Sequence, residues 1–326
     1  MIGCLVVVAA AAGGVYLGGL RYFHAAEAAL ESRSFEEAGA AIERCVRFWP
    51  RSYRAHLLAA RIARRRQAYE SADQYLADCA RLQGKTEAAT LESMLVQVQQ
   101  GHVTGLEAGL YELVERNSPD APAILETLAE GYATAYETEK TLGALNELLK
   151  RQPDNASALL LRGKVWEGLN KDEEALQDFA QAVLQQPHSD QARLRLAEVL
   201  ARLGRIGEAA AHYQRLHERQ PDNTDVAVGL ARCLQDLAEL EQAKQLLDAV
   251  LASDADHVEA LIERGRVAVR QADLENAESW LRKAVKLAPY HVEAHLVLCA
   301  CLEAEQKATQ ANQVRDVLKR LETENR

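Results

Sequence analysis

The stretch from Pro153 to Pro187, PDNASALLLRGKVWEGLNKDEEALQDFAQAVLQQP, decides the fold. A proline 34 residues from the next brackets it, and inside lie two apolar runs separated by LNKDEEA. Pro153 disfavours helix at the residue before it, while Asp154 and Asn155 supply caps for a helix after it. Leu169 to Ala175 carries turn residues and then the acidic first turn of a second helix. One segment thus spells a helix, a tight turn and a second helix.

The pattern repeats outward from there. Pro119, Pro153, Pro187 and Pro221 are spaced by 34 residues, and Pro289 lies two periods further on, with Ala255 at the intervening site. Five of the seven prolines mark one phase, and a period of this size is a solenoid signature. With the proline as position 32, units begin at Gly19, Tyr53, Glu87, Pro122, Ala156, Asp190, Thr224, Val258 and Val292. The unit from Glu87 has 35 residues and the other eight have 34, so nine repeats run from Gly19 to Asn325. Position 20 is Ala38, Ala72, Ala175, Ala209, Ala243, Ala277 and Ala311, and position 8 is Ala26, Ala60, Ala129, Gly163, Ala197, Ala231 and Gly265. Such small residues predict close approach of two antiparallel helices. Position 24 is large: Ile42, Leu76, Leu145, Phe179, Tyr213, Leu247 and Leu281. About eighteen helices of 12 to 14 residues are predicted, with local distortion in the unit from Glu87, where Leu106 replaces the small residue at position 20.

At these residues the chain resembles the tetratricopeptide-repeat (TPR) family. The family pattern has Gly or Ala at 8, an aromatic at 11, Ala at 20, an aromatic at 24, Ala at 27 and Pro at 32. Gly163, Trp166, Ala175, Phe179, Ala182 and Pro187 match it, while Arg162 departs from the Leu at 7. The resemblance implies an all-α, right-handed superhelical solenoid of helix-turn-helix repeats over residues 19–325. It also implies a non-catalytic surface for proteins or extended peptides, lined by the first helix of each pair.

Composition agrees with that class. Aromatics make up 5% of the chain, too few for a β-sandwich of this length, and Ala, Leu, Glu, Gln and Arg dominate. A net charge of -10 argues against a nucleic-acid partner. The amino-terminal end differs in sign: residues 1–86 hold 12 basic and 8 acidic side chains.

Ile2 to Leu20 is free of charge, and 19 helical residues span about 28 Å, close to a bilayer core. Residues 1–20 are therefore read as a membrane anchor or signal segment, the competing readings being a cleaved signal and an apolar first helix packed on the body. The reading that follows is a single-pass, membrane-tethered scaffold or assembly adaptor with its solenoid on the cytoplasmic side. The alternatives are an exported or soluble regulatory TPR protein and an accessory subunit of an enzyme complex.

No catalytic, cofactor or metal motif emerges. His291 and His295 in HVEAH straddle a helix start and lack the HExxH order, and Cys299 and Cys301 point to different sides of a helix. Cys45 and Cys79 share position 27, a packing site. By the repeat geometry, positions 2, 5, 9, 12 and 13 line the groove and expose two basic islands. The first is Arg61, Arg64 and Arg65 with Arg54 beneath; the second is Lys164, Arg195, Arg202, Arg232, Arg266 and Arg270, interrupted by Glu167, Glu198 and Asp236. Arginine pairs bidentately with carboxylates, which favours an acidic peptide on the second island. The competing reading is a solvated face of self-paired charges. As surface groups, Arg232 and Arg266 are expected to tolerate reversal to Glu with little loss of stability.

Overall fold

The structure, a computed structural model, describes the backbone of residues 2–324 and the side chains of residues 16–321 and 323. It is an all-α solenoid of paired helices, and the chain divides into two compact units, Met1–Pro153 and Asp154–Arg326. The first contains α1 (Ile2–Glu31), α2 (Phe35–Phe48), α3 (Tyr53–Arg65), α4 (Tyr69–Gln83), α5 (Glu87–Gln99), α6 (Glu107–Glu115), α7 (Ala121–Thr134) and α8 (Thr138–Arg151). The second contains α9 (Ala156–Gly168), α10 (Asp172–Gln185), α11 (Asp190–Arg202), α12 (Ile206–Arg219) and α13 (Thr224–Asp236). It continues with α14 (Leu240–Ser253), α15 (Val258–Arg270), α16 (Leu274–Leu287), α17 (Val292–Ala304) and α18 (Ala308–Glu324). Each odd-numbered helix packs antiparallel on the even-numbered one that follows in most repeats.

Local chemistry sets the helix ends. Ser52, Thr86, Asn155, Ser189, Asn223, His257 and His291 each stand just before an odd-numbered helix and accept the backbone N–H three residues on, at 3.1–3.3 Å. Such a cap stabilises a helix by about 1 kcal/mol. At the other end, position 15 takes the left-handed conformation that closes a helix: Tyr136 (φ 58°), Asn170 (φ 56°), Gly204 (φ 74°) and Ala238 (φ 64°). Only glycine adopts this region without steric cost, so Gly204 is the least strained of the four.

The core runs between the two helices of each pair. Every position-20 alanine from Ala38 to Ala277 is fully buried, as are Ala26, Ala60, Ala129, Ala197 and Ala231 at position 8. The partner of position 8 is the large residue at position 24. A Cβ added to Gly163 would lie 2.5 Å from the Phe179 ring, and one added to Gly265 would lie 2.6 Å from Leu281. The repeat from Glu87 departs from this plan: α6 has nine residues, and Val103 in the preceding loop is buried. There α7 presses directly on α5, with the Gly131 Cβ site 3.0 Å from the Val98 carbonyl.

The amino-terminal anchor is corrected. Among the described residues no helix is long and apolar enough to cross a membrane. The membrane-tethered scaffold, the membrane partnership of residues 2–20 and the single-pass localisation therefore fall, together with the sidedness drawn from them. Most of the apolar run, residues 2–15, has side chains outside the described ones. Where its side chains are described, the run is continuous with the first repeat and packs there. Cys45 Sγ donates to the Gly19 carbonyl at 3.4 Å, the Tyr16 and Trp49 rings lie 5.5 Å apart, and Gly19 sits against the Trp49 indole. Beyond it Phe23 and Ala26 enter the core of that repeat.

Candidate functional site

The repeat register brings position 9 of one odd-numbered helix beside position 6 of the next. In the first unit the slot holds a buried acid, Glu92. Arg64 donates its Nε to Glu92 and its Nη1 to Thr127 Oγ1 at 3.1 Å, while Arg61 Nε approaches Glu92 at 3.7 Å and its Nη2 approaches Asp120 at 3.8 Å. Arg64 is only 3% exposed, so this member of the first island lies inside the protein. Arg65 pairs with Glu126, which also receives Arg33 at 3.0 Å. Burial raises the Glu126 pKa, but the two guanidinium groups outweigh it and hold the carboxyl below the usual range. Arg54 stands apart, with its guanidinium 5.7 Å from the centre of the Phe23 ring.

In the second unit the corresponding acid is Glu263, fully buried on α15. Arg232 Nε donates to its Oε1 at 2.9 Å and Gln235 Nε2 to its Oε2 at 2.8 Å. Arg266 Nε stands 3.8 Å from Oε2 and its Nη2 reaches Glu293 at 2.6 Å, while Arg270 donates to the Gln235 carbonyl. The outer parts of these arginines remain open, the Arg232 side chain being 49% exposed. Arg232 and Arg266 therefore compensate a buried carboxylate. Reversing both would set three acids around one dry site, so the expected tolerance of that double change is withdrawn.

Between α9 and α11 the same slot is filled differently. Position 9 is Lys164 and position 6 of the next repeat is Arg195, so two cations occupy the positions that hold an arginine and a glutamate at Arg61/Glu92 and Arg232/Glu263. Arg195 Nη1 lies 3.0 Å from Glu198 and 3.9 Å from Glu167. Arg202 Nη2 holds Glu167 and Asp172, both at 2.8 Å. Lys164 has no ion-pair partner among the described residues. Burial and then the nearby Arg195 charge push its pKa down, with Glu167 opposing. Burial also pushes the Glu198 carboxyl up against the pull of Arg195.

Glu92 and Glu263 were not singled out from the sequence. Their signal was an acid at position 6 directly after a run of apolar residues, as Glu263 follows Ala260, Leu261 and Ile262.

The remaining candidates are structural. His291 Nδ1 caps α17, and His295 is buried with Nδ1 3.1 Å from the His291 carbonyl. Among the described residues no three His, Cys, Asp or Glu side chains are grouped to hold a metal ion. Cys45, Cys79, Cys233, Cys299 and Cys301 are buried free thiols, and burial pushes Cys79, Cys233 and Cys301 up to about 11.

Tetratricopeptide-repeat models match residues 23–78, 142–186, 173–224, 202–264 and 258–291. No curated protein matches the sequence. Among solved structures, PilW, described as a widely conserved type IV pilus biogenesis factor, is 20% identical with a TM-score of 0.53, over 62% of this chain and 94% of its own. YrrB, described as a TPR protein with an unusual peptide-binding site, is 22% identical with a TM-score of 0.51, over 57% of this chain and 95% of its own. A tetratricopeptide repeat protein from Parabacteroides merdae is 18% identical with a TM-score of 0.41, over 88% of this chain and 99% of its own. At these identities the likeness is one of fold.

Proposed function

The chain belongs to the tetratricopeptide-repeat family, whose members are non-catalytic interaction scaffolds, and from that premise we propose that it binds an extended, acid-bearing peptide of a partner protein across α9, α11, α13 and α15. The observation that carries this reading is the succession of half-exposed cations on those four helices: Lys164, Arg195, Arg232 and Arg266, one per repeat. Internal acids hold the inner edges of the arginines and so restrict their rotamers, while each guanidinium has five N–H donors and keeps others for a ligand. Restricting them beforehand lowers the entropy lost on binding, and several modest contacts on one ligand multiply in effect. The peptide-binding site named for YrrB supports the reading by analogy of fold.

An array of acidic peptides, each paired with its Gln/Asn counterpart, tests it on the full chain at low and high salt. Acidic members are expected to bind, to weaken as salt rises, and to slow amide hydrogen exchange on α9, α11, α13 and α15. Equal binding of the neutral counterparts, or protection confined to α10, α12 and α14, would overturn it.

A further inference from the structure

We propose that the first unit carries a binding site for a free anionic amphiphile, a molecule with a hydrocarbon body and one negatively charged head, in the cleft between α1 and the turn from α2 to α3. The inference is independent of the peptide-binding reading above, since it uses no residue of α9, α11, α13 or α15.

Local sequence builds the cleft. With 30 residues against 13 in α3, α1 runs past the end of α2, where a Cβ on Gly18 would lie 3.3 Å from the Phe48 ring. Pro50 disfavours helix at Trp49, and the chain turns there into Ser52, the cap of α3. The space left between helix and turn is about 840 Å³, within the range of roughly 300–1,000 Å³ that holds small molecules. Its wall is aromatic: the Trp49 ring centre is 5.5 Å from that of Tyr16 and 6.3 Å from that of Phe23, and Leu20 and Phe48 extend the same surface. Tyr16 is 61% and Phe48 39% exposed, so part of this apolar wall stands in water and gains free energy on being covered.

The rim supplies the charge. Arg51 and Arg54 line the cleft, and neither has an ion-pair partner among the described residues, whereas Arg33, Arg61, Arg64, Arg65 and Arg66 all meet carboxylates. The Arg54 guanidinium stands 5.7 Å from the centre of the Phe23 ring, a contact with the ring face that leaves its N–H groups for an anion. Glu27, the acid of the rim, is already 3.1 Å from His24 Nδ1. A hydrocarbon body covers the rings while the anionic head meets the two arginines, so one ligand answers both features. A cationic head would face like charge, and a short anion would leave the rings in water.

Titration of the full chain with ω-bromododecanoate, below its micelle concentration, reads the cleft through Trp49, because bromine quenches an indole only at contact; the other tryptophans, Trp166 and Trp280, are on α9 and α16. Saturable quenching is expected at one molecule per chain. It should vanish in Trp49→Phe while calorimetry still records dodecanoate binding. Arg51→Gln with Arg54→Gln is expected to leave the melting temperature unchanged and to weaken dodecanoate about tenfold or more, the scale of lost hydrogen bonds to a charged group. Hexanoate, which buries less chain, should bind about tenfold or more weakly than dodecanoate. Quenching that persists in Trp49→Phe, dodecyltrimethylammonium binding as tightly as dodecanoate, or a folded double arginine variant that binds like the parent would each overturn the site. Quenching by vesicles of a brominated phosphatidylglycerol with none by the free acid overturns it too, since the surface would then meet a bilayer and not a single molecule.

Discussion

Glu92 in the first unit and Glu263 in the second occupy the same place in their repeats, yet their surroundings differ in a way that separates architecture from recognition. Glu92 meets Arg64, itself buried, and the guanidinium is consumed inside the protein by Glu92 and Thr127. Glu263 meets an uncharged amide, Gln235, on its inner side and draws its positive charge from Arg232 and Arg266, which extend to the surface. The first slot has a buried guanidinium with Arg61 at its outer edge; the second has no buried cation and relies on surface arginines alone. At α9–α11 the buried acid is absent and the cations remain. A single register position thus carries an ion pair with a buried arginine in one unit and one with surface arginines in the other, according to which side chain supplies the charge.

The comparison breaks first at the buried pairs. Arg64→Met is expected to cost about 3 kcal/mol by leaving Glu92 with only the more distant Arg61, whereas Arg64→Met with Glu92→Met is expected to be near neutral, as replacement of a buried pair by apolar groups often is. Arg232→Glu with Arg266→Glu is expected to cost several kcal/mol as well, and the further change Glu263→Gln to recover part of it. Urea midpoints measure all four. If the Arg232 and Arg266 reversal left the midpoint unmoved, Glu263 would not depend on its surface partners and the contrast between the two slots would vanish.

Helix packing offers a second, smaller contrast. Position 8 is Ala129 beneath Leu145 in the first unit and Gly163 beneath Phe179 in the second. Phe179 is fully buried and a Cβ on Gly163 would meet its ring at 2.5 Å, so Gly163→Ala is expected to cost about 1–3 kcal/mol despite the better helix propensity of alanine. Combining it with Phe179→Leu, which copies the first unit, should make the alanine tolerable. A stabilised Gly163→Ala variant would show that the ring has room to move.

The smallest effect concerns pH. Glu126 in the first unit has its folded pKa lowered, so it contributes stability above the ordinary carboxylate range and loses it as pH falls through the lowered value. Glu198 in the second unit has its folded pKa raised, so it favours the fold below the ordinary range and loses that contribution as pH rises through the raised value. Glu126→Gln should therefore lower stability at neutral pH and flatten its acid loss. Glu198→Gln should raise stability at neutral pH and change it little in acid. Midpoints recorded across the carboxylate range for both variants check the signs; parallel profiles would mean that the two acids share one environment.

Much of the fold was legible in the chain itself because a solenoid repeats its local chemistry. Prolines at one phase, caps such as Asn155 and Asn223, and alanine at position 20 each act within a few residues or across one helix pair, so their spacing carries the information. The basic residues were visible as well, but their roles were not. Arg64 and Lys164 read alike as groove charges, and only the neighbouring repeat shows that one meets Glu92 and the other Arg195. The apolar run at the amino terminus misled for the same reason, since length and apolarity do not say what packs against Gly19, and in the folded chain that is Trp49 and Cys45. The sequence alone determined an all-α array of paired helices, their turns and the small residues where they cross. The tertiary structure decided which charges are buried, which are paired and which still lack a partner, because desolvation and ion pairing depend on side chains brought together from some thirty residues apart.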